Sequence, residues 1–415
     1  MAAVIRRTQT RLPFSRPSSF STATATSTTA AAAAPESDPI SRAKSAIRSE
    51  SDPERIASLF LSSAHSPKFY GDRAIYKLSV SKLARSRRPD LIERLLEPQL
   101  GSGSSGSNPN PKSEGFHIRI ITLYSEAGML DHAVRAFRRI PDSPGLRHTE
   151  RSLCAVLSAY LKNRKLDPLL ETFRSAPEDL GVSPGITAHN IVLNALCTHG
   201  DVAGARKMLD EMEAKEVKPD LVSYNTLLTG YLKKGEESGF DDILKEMVAK
   251  GLPPSVVTYN CRIGDLCGKK RSSEAEELLD AMTSKGVRPN RTSFNMIIDG
   301  FCKEGDVEAA MRVFKRMPGA KKEDGHDGAS PNFDTYVLMI RSLVEKGEFM
   351  SGLEVFKECV LRKWAPPFDA VKGLVEGLKK SAQINDAKYV VVKMRKAVRG
   401  DAVDAWKKVE GELSV

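Results

Sequence analysis

Long apolar runs are missing from this 415-residue chain, and so are the residue clusters on which most catalysis depends. No hydrophobic stretch approaches the roughly 20 residues that a bilayer-spanning helix needs, so a soluble protein is expected. Aromatic residues contribute only 6% of the chain, and no two of the six cysteines stand as C-x-x-C. Neither a disulfide framework nor a metal site is therefore expected. There is no H-E-x-x-H, Walker loop or G-x-S-x-G, and the seven histidines stand singly. The segment "GSGSSG" (Gly101–Gly106) does match G-x-G-x-x-G, but its flanks "LLEPQL" and "SNPNPKSE" read as linker. Pyrophosphate binding needs a strand before that motif and a helix N-terminus after it. No catalytic constellation emerges, and the expectation is a non-enzyme without cofactors.

Acidic residues are also absent before Glu36, whereas Arg6, Arg7, Arg11 and Arg16 lie there among Ser, Thr and Ala, including "FSTATATSTTAAAAA". That composition predicts an organellar transit peptide over residues 1–36. Spaced arginines point to the mitochondrial matrix; the Ser/Thr richness keeps a plastid address as the alternative. Without these four charges the formal +10 becomes +6, a surplus compatible with a polyanionic partner.

What the chain has in abundance is repetition. His189-Asn190, Tyr224-Asn225, Tyr259-Asn260 and Phe294-Asn295 follow one another at intervals of 35 residues. Met212, Met247, Met282 and Met317 keep the same step, as do Pro219, Pro254 and Pro289. A fixed period of this size marks stacked supersecondary units. Within Ile186–Asp220, the helical pattern of Ile191, Leu193, Leu196 and Cys197 stops at Gly200, a usual residue just past a helix end. A second pattern carries Ala205, Met208, Leu209 and Met212 and stops before Pro219. Each unit is thus predicted to be a helix-turn-helix. Gly128, Gly235, Gly305 and Gly347 occupy the turn position, while Lys270 departs from it and predicts a less tight turn. Ala205, Ala275, Ala310 and Gly352 allow close approach of second helices, with Phe240 as the exception. Cys197, Cys267 and Cys302, in register, are expected to pack as small side chains.

This register divides the chain into a helical segment over 37–100 with one worn unit, a Gly/Ser/Pro linker over 101–112, and degenerate units over 113–185. Four well-formed units follow over 186–332, then degenerate units over 333–400 and a C-terminal tail over 401–415. The stretch "PGAKKEDGHDGASPN" lengthens one unit by seven residues and reads as an extended surface turn. Glu211, Glu246 and Asp280 read as solvated helix faces, and His189 as a packing residue standing where other units carry Tyr or Phe.

The asparagines after each aromatic are the residues with chemistry to offer. A single one would read as an N-terminal cap. Four in register, Asn190, Asn225, Asn260 and Asn295, suit another purpose, because an amide offers both donors and an acceptor to the edge of a base.

The segments "VSYNTLLTGYLKKG", "VVTYNCRIGDLCGKKRSSEAEELLDAMTSKGVRPN" and "RTSFNMIIDGFCKEGDVEAAMRVFKRM" resemble pentatricopeptide repeats, strongly over 186–332 and with degenerate units over 114–400. The chain is similar to P-class members of that family from plant organelles; tetratricopeptide repeats, with a 34-residue period, carry a different Trp/Gly signature. The resemblance implies an all-α, right-handed superhelical solenoid in which each repeat reads about one RNA base. It assigns base reading to the pairs Asn190 with Asp220, Asn225 with Ser255, Asn260 with Asn290, and Asn295 with Asn332, and base-face contact to Thr187, Val222, Val257 and Thr292. The implied partner is single-stranded RNA or rRNA, pyrimidine-biased as 5′-U-C-Y-Y-3′. Outer units carry Ile118, Cys154, Val337 and Pro367 at these positions, which offer no amide or carboxylate. The segments "SEGFHIRIITLYSEAGMLDHAVRAF", "YNCRIGDLCGKKRSSEAEELL" and "DAWKKVEGEL" are further similar to short family members bound to plant mitochondrial ribosomes, mainly the small subunit. That likeness implies mitochondrial ribosomal proteins as partners and a role in translation. A stand-alone transcript-binding factor and a protein-protein scaffold remain the alternatives.

Overall fold

A computed structural model describes residues 38–66, 68–100, 113–143, 145–317 and 329–413. The transit segment, the linker and most of the inserted turn lie outside the described residues. All regular structure among them is helical. Residues through Ser79 form one compact unit and those from Val80 a second.

In the first unit, α1 (Pro39–Ser49) and α2 (Pro53–Ser63) each begin with proline, whose missing N–H costs nothing at a helix start. Phe60, Phe69 and Tyr76 close its core with ring centroids 4.9 to 5.1 Å apart. Tyr76 lies on α3 (Arg73–Arg85), which is followed by α4 (Pro89–Leu100).

The second unit takes in the end of α3 and all of α4, and continues as a succession of helical hairpins. They are α5 (Glu114–Glu126) with α6 (Leu130–Arg138), α7 (Glu150–Lys162) with α8 (Leu166–Asp179), and α9 (Ile186–Thr198) with α10 (Val202–Ala214). Next come α11 (Leu221–Lys234) with α12 (Glu237–Ala249), α13 (Val256–Gly268) with α14 (Ser272–Ser284), and α15 (Arg291–Glu304) with α16 (Val307–Arg316). The last are α17 (Phe333–Lys346) with α18 (Phe349–Leu361), and α19 (Phe368–Lys380) with α20 (Ile384–Ala397), followed by α21 (Asp401–Leu413). From α5 to α19 each odd-numbered helix packs on the next odd one, so the first helices of the hairpins make a continuous layer. This is the α-solenoid expected from the period.

Each hairpin turns on one left-handed residue. Gly128, Gly200, Gly235, Gly305 and Gly347 take it with φ between 77° and 82°, a region glycine enters without steric cost. The expected looser turn at Lys270 is not found: its φ is 59°, and Arg271 N–H donates to Leu266 O at 2.9 Å, the same distance as Asp306 N–H to Phe301 O in the glycine turn. Packing of the two helices dictates the turn, and the lysine bears a strain of about 1 kcal/mol.

The small residues act as spacers. A Cβ on Gly230 would stand 2.6 Å from Cys197 Sγ, and one on Gly300 would stand 2.9 Å from Cys267 Sγ. The cysteine of one unit therefore packs into the space left by the glycine of the next, and burial pushes the Cys197 thiol up to about 11. Ala205, Ala275 and Ala310 are fully buried, and Phe240 fills the equivalent place in its unit. The C-terminal tail needs correction. Residues 401–413 form α21, whose Trp406 is buried against Phe368 with centroids 4.8 Å apart. Trp406, Val409 and Leu413 recur at helical spacing, a pattern too short to stand out in the sequence.

Candidate nucleic-acid interface

The four asparagines line one side of the odd-helix layer, but they are not caps. The helix caps are Asp220, Ser255, Asn290 and Asn332, each accepting from backbone N–H groups of the first turn and closing a capping box with the hydroxyl three residues on. The asparagines stand five residues beyond their own caps and reach forward to the next unit.

That reach is the same in all four units. Ser223 Oγ donates to Asn190 Oδ1 at 2.6 Å, Thr258 Oγ1 to Asn225 Oδ1 at 2.8 Å, Ser293 Oγ to Asn260 Oδ1 at 2.7 Å, and Thr335 Oγ1 to Asn295 Oδ1 at 2.8 Å. The same hydroxyls accept the backbone N–H of the caps Asp220, Ser255, Asn290 and Asn332 at 3.0 to 3.2 Å. No sequence expectation covers these hydroxyls. Their signal was there, as the Ser or Thr before each aromatic in "VSYN", "VTYN", "TSFN" and "DTYV".

Two of the expected residue pairs touch. Asn190 Nδ2 donates to Asp220 Oδ1 at 3.3 Å, and Asn260 Nδ2 to Asn290 Oδ1 at 3.4 Å. The other two pairs, Asn225 with Ser255 and Asn295 with Asn332, are joined only through Thr258 and Thr335. Burial raises the Asp220 carboxyl's proton affinity, but donation from the Ser223 and Val222 N–H groups and the Asn190 and Ser223 side chains outweighs it. The net result lies below the usual carboxylate value, so Asp220 is an anionic acceptor at neutral pH.

One turn earlier on the same faces, Thr187, Val222, Val257 and Thr292 are exposed. Val222 and Val257 are 56% and 58% accessible, an unusual exposure for valine in a packed array. A residue and its third neighbour share a helix face, so each valine or threonine edge adjoins an asparagine amide. Ile118, Cys154 and Val337 occupy the asparagine position in the outer units and are only partly exposed.

Away from this row, His189 packs edge-on against Phe173 at 4.9 Å, as a packing residue should. Glu246 departs from the expectation of a plain solvated face. It accepts from Arg206, Lys250 and the Tyr224 hydroxyl, tying α10, α11 and α12 together. No cluster of three or more metal-ligating side chains exists among the described residues, and no helix among them is long and apolar enough to cross a membrane.

The PPR repeat family matches residues 254–303 and 289–345, with further PPR matches over 180–213, 207–270 and 334–363. These ranges run without a break across the hairpins that carry the asparagine row. The chain is a pentatricopeptide repeat protein. Among curated relatives of this pentatricopeptide repeat protein is the small ribosomal subunit protein mS78 (rPPR3a) of Arabidopsis thaliana, 31% identical over 215 residues. That match covers 52% of each chain, so the chain spans about half the length of this relative. A longer match, 29% identical and covering 91% of this chain and 88% of the relative, is to the Arabidopsis protein named small ribosomal subunit protein mL103 (rPPR7). Among solved structures, the pentatricopeptide repeat protein PPR10 from maize is 23% identical with a TM-score of 0.49, over 91% of this chain and 54% of that one.

Proposed function

We infer that this pentatricopeptide repeat protein is a non-catalytic RNA-binding adaptor of mitochondrial gene expression, supporting translation as a component of, or factor on, the small subunit of the mitochondrial ribosome. The observation that carries the RNA reading is the row of four amides, each beside an exposed valine or threonine edge and at the same place in its hairpin. In this reading Val222 and its equivalents lie against base faces, while Asn190, Asn225, Asn260 and Asn295 address base edges together with Asp220, Ser255, Asn290 and Asn332. By the family's code the sequence served is 5′-U-C-Y-Y-3′. The anionic acceptor at Asp220 fits the first step, since uracil carries an N–H on its pairing edge.

Four reading units are few. At about 1 to 3 kcal/mol per base, offset by ordering of the strand, they support modest affinity. A ribosomal setting accounts for that shortfall, because neighbouring proteins and folded rRNA supply the rest. Two Arabidopsis relatives named as small ribosomal subunit proteins support this placement, and so does the arginine-rich, acid-free N-terminal composition.

The test is a sucrose gradient of detergent-lysed mitochondria, with and without RNase and with magnesium removed. Migration with the small subunit, persisting after the subunits separate, is expected. Light fractions that shift on RNase treatment would make the protein a free transcript-binding factor, and light fractions indifferent to RNase would make it a protein scaffold. Base reading is checked separately by crosslinking: the double variant N225A/N260A should lose most contact with pyrimidine-rich RNA, and unchanged occupancy would remove the base-reading claim.

A further inference from the structure

The capping-box hydroxyls of one unit sit against the amide of the unit before. A hydroxyl has a single proton to give. At Ser223, Thr258 and Ser293 the nearer acceptor is the neighbouring asparagine, at 2.6, 2.8 and 2.7 Å, against 3.1, 3.3 and 3.1 Å to the side-chain oxygen of the helix's own cap. At Thr335 the asparagine at 2.8 Å and the cap oxygen at 2.7 Å are equivalent. With Oδ1 so engaged, the amide's NH₂ is the end left for a ligand; Asn190, Asn260 and Asn295 are partly exposed and Asn225 is 8% exposed. Asn190 and Asn260 give one of the two NH₂ hydrogens to a cap.

The two residue types also occur together along the chain. Every asparagine of the row is followed, in the next unit, by Ser or Thr at the third helical position. Where Cys154 and Val337 replace the asparagine, the next unit has Ala188 and Ala370 there instead. Capping alone does not require this pairing. Ser152 closes a capping box with Thr149 although Ile118 precedes it, and its proton goes to the Thr149 carbonyl at 2.9 Å.

We propose that Ser223, Thr258, Ser293 and Thr335 are positioning residues for base recognition. Each fixes the amide of the preceding unit with its carbonyl engaged and its NH₂ left for a ligand, so that the row presents hydrogen-bond donors to acceptors on the pairing edges of an RNA strand. The proposal rests on the base-reading role inferred above. It adds that a base step spans two adjacent units: removing a hydroxyl releases the amide one unit earlier, which then turns either end to the base and loses discrimination.

Purified full-length protein and short RNAs differing only at the second base, C against U, test this at fixed salt by fluorescence anisotropy, because N3 of C accepts a hydrogen bond where N3–H of U donates one. Wild type should prefer C. Thr258→Ala should lower that preference by about fivefold, the worth of one oriented hydrogen bond, Thr258→Ser should restore it, and Ser152→Ala, which removes a capping hydroxyl that holds no amide, should leave it intact. Thermal melting records the shared loss of a cap in both alanine variants. Full preference retained in Thr258→Ala, or equal loss in Ser152→Ala, would overturn the positioning role and leave base reading standing. A wild type indifferent to the second base overturns base reading itself, and the positioning role with it.

Discussion

His189 stands where Tyr224, Tyr259 and Tyr336 stand in other units, and it fits less well than they do. Its ring is 2% exposed, and Nδ1 lies 2.8 Å from the Gly185 carbonyl, but Nε2 is buried without a partner. Burial depresses the ring's proton affinity below its ordinary 6.5, against the smaller upward effect of the Gly185 carbonyl. The tyrosines show what the position can do. Tyr224 donates to Glu246 at 3.2 Å and Tyr336 to Glu358 at 3.3 Å, each acid lying 22 residues on. Glu211 is 22 residues beyond His189. His189→Tyr should therefore gain about 1 kcal/mol at neutral pH by satisfying the site. The gain should widen below pH 6.5, because the unfolded chain of the wild type then binds a proton that the folded one excludes. Melting curves at pH 7.5 and 5.5 check both statements; a gain that shrinks on acidification would contradict them. That His189 packs was readable from the register. Its orphaned nitrogen was not, since the acid it lacks contact with belongs to another helix.

Hairpin spacing is set where a side chain of one element meets a missing side chain of the next. Gly300 lies against Cys267 and Ser272 Oγ, the latter 2.3 Å from where a Cβ would stand, and Gly230 lies against Cys197. Neither glycine turns the chain, and both are helical. Gly300→Ala should push α13 from α15 and cost about 1 to 3 kcal/mol, as overpacking does. The same change at Gly268, which has nothing within 4 Å, should cost no stability and should gain a few tenths of a kcal/mol from alanine's better helix propensity. Urea unfolding of the two variants separates close packing from glycine's conformational freedom, and equal midpoints would defeat the packing account. Helix limits, the glycine ends and the small-residue register were legible because each depends on residues within a turn or two. The tight turn at Lys270 was not legible for the complementary reason: helix packing imposes the left-handed backbone even where the local residue resists it.

A stacked array is stabilised by nearest neighbours, so its ends open first unless they are covered. At the C-terminal end α21 does the covering. Its own Trp406 is 1% exposed against Phe368 of α19, and Arg395 on α20 pairs with Glu410 of α21 at 2.5 Å. Trp406→Ala should cost about 3 to 5 kcal/mol at that end. Hydrogen exchange should quicken in α19 and α20 while α9 to α15 keep their protection; uniform acceleration along the array would show a single cooperative unit instead.

By itself the sequence determined the repeat period, the hairpin as the unit, the turn positions and the row of asparagines, since each follows from a local rule of helix periodicity, capping or chain reversal. Only the tertiary structure decided that these asparagines are not caps, that a hydroxyl 33 or 40 residues later holds their carbonyls, and that the C-terminal residues close the array. Those outcomes depend on which side chains stacking brings together. An amide carries a donor end and an acceptor end of nearly the same shape, and only its neighbour across the stack selects between them.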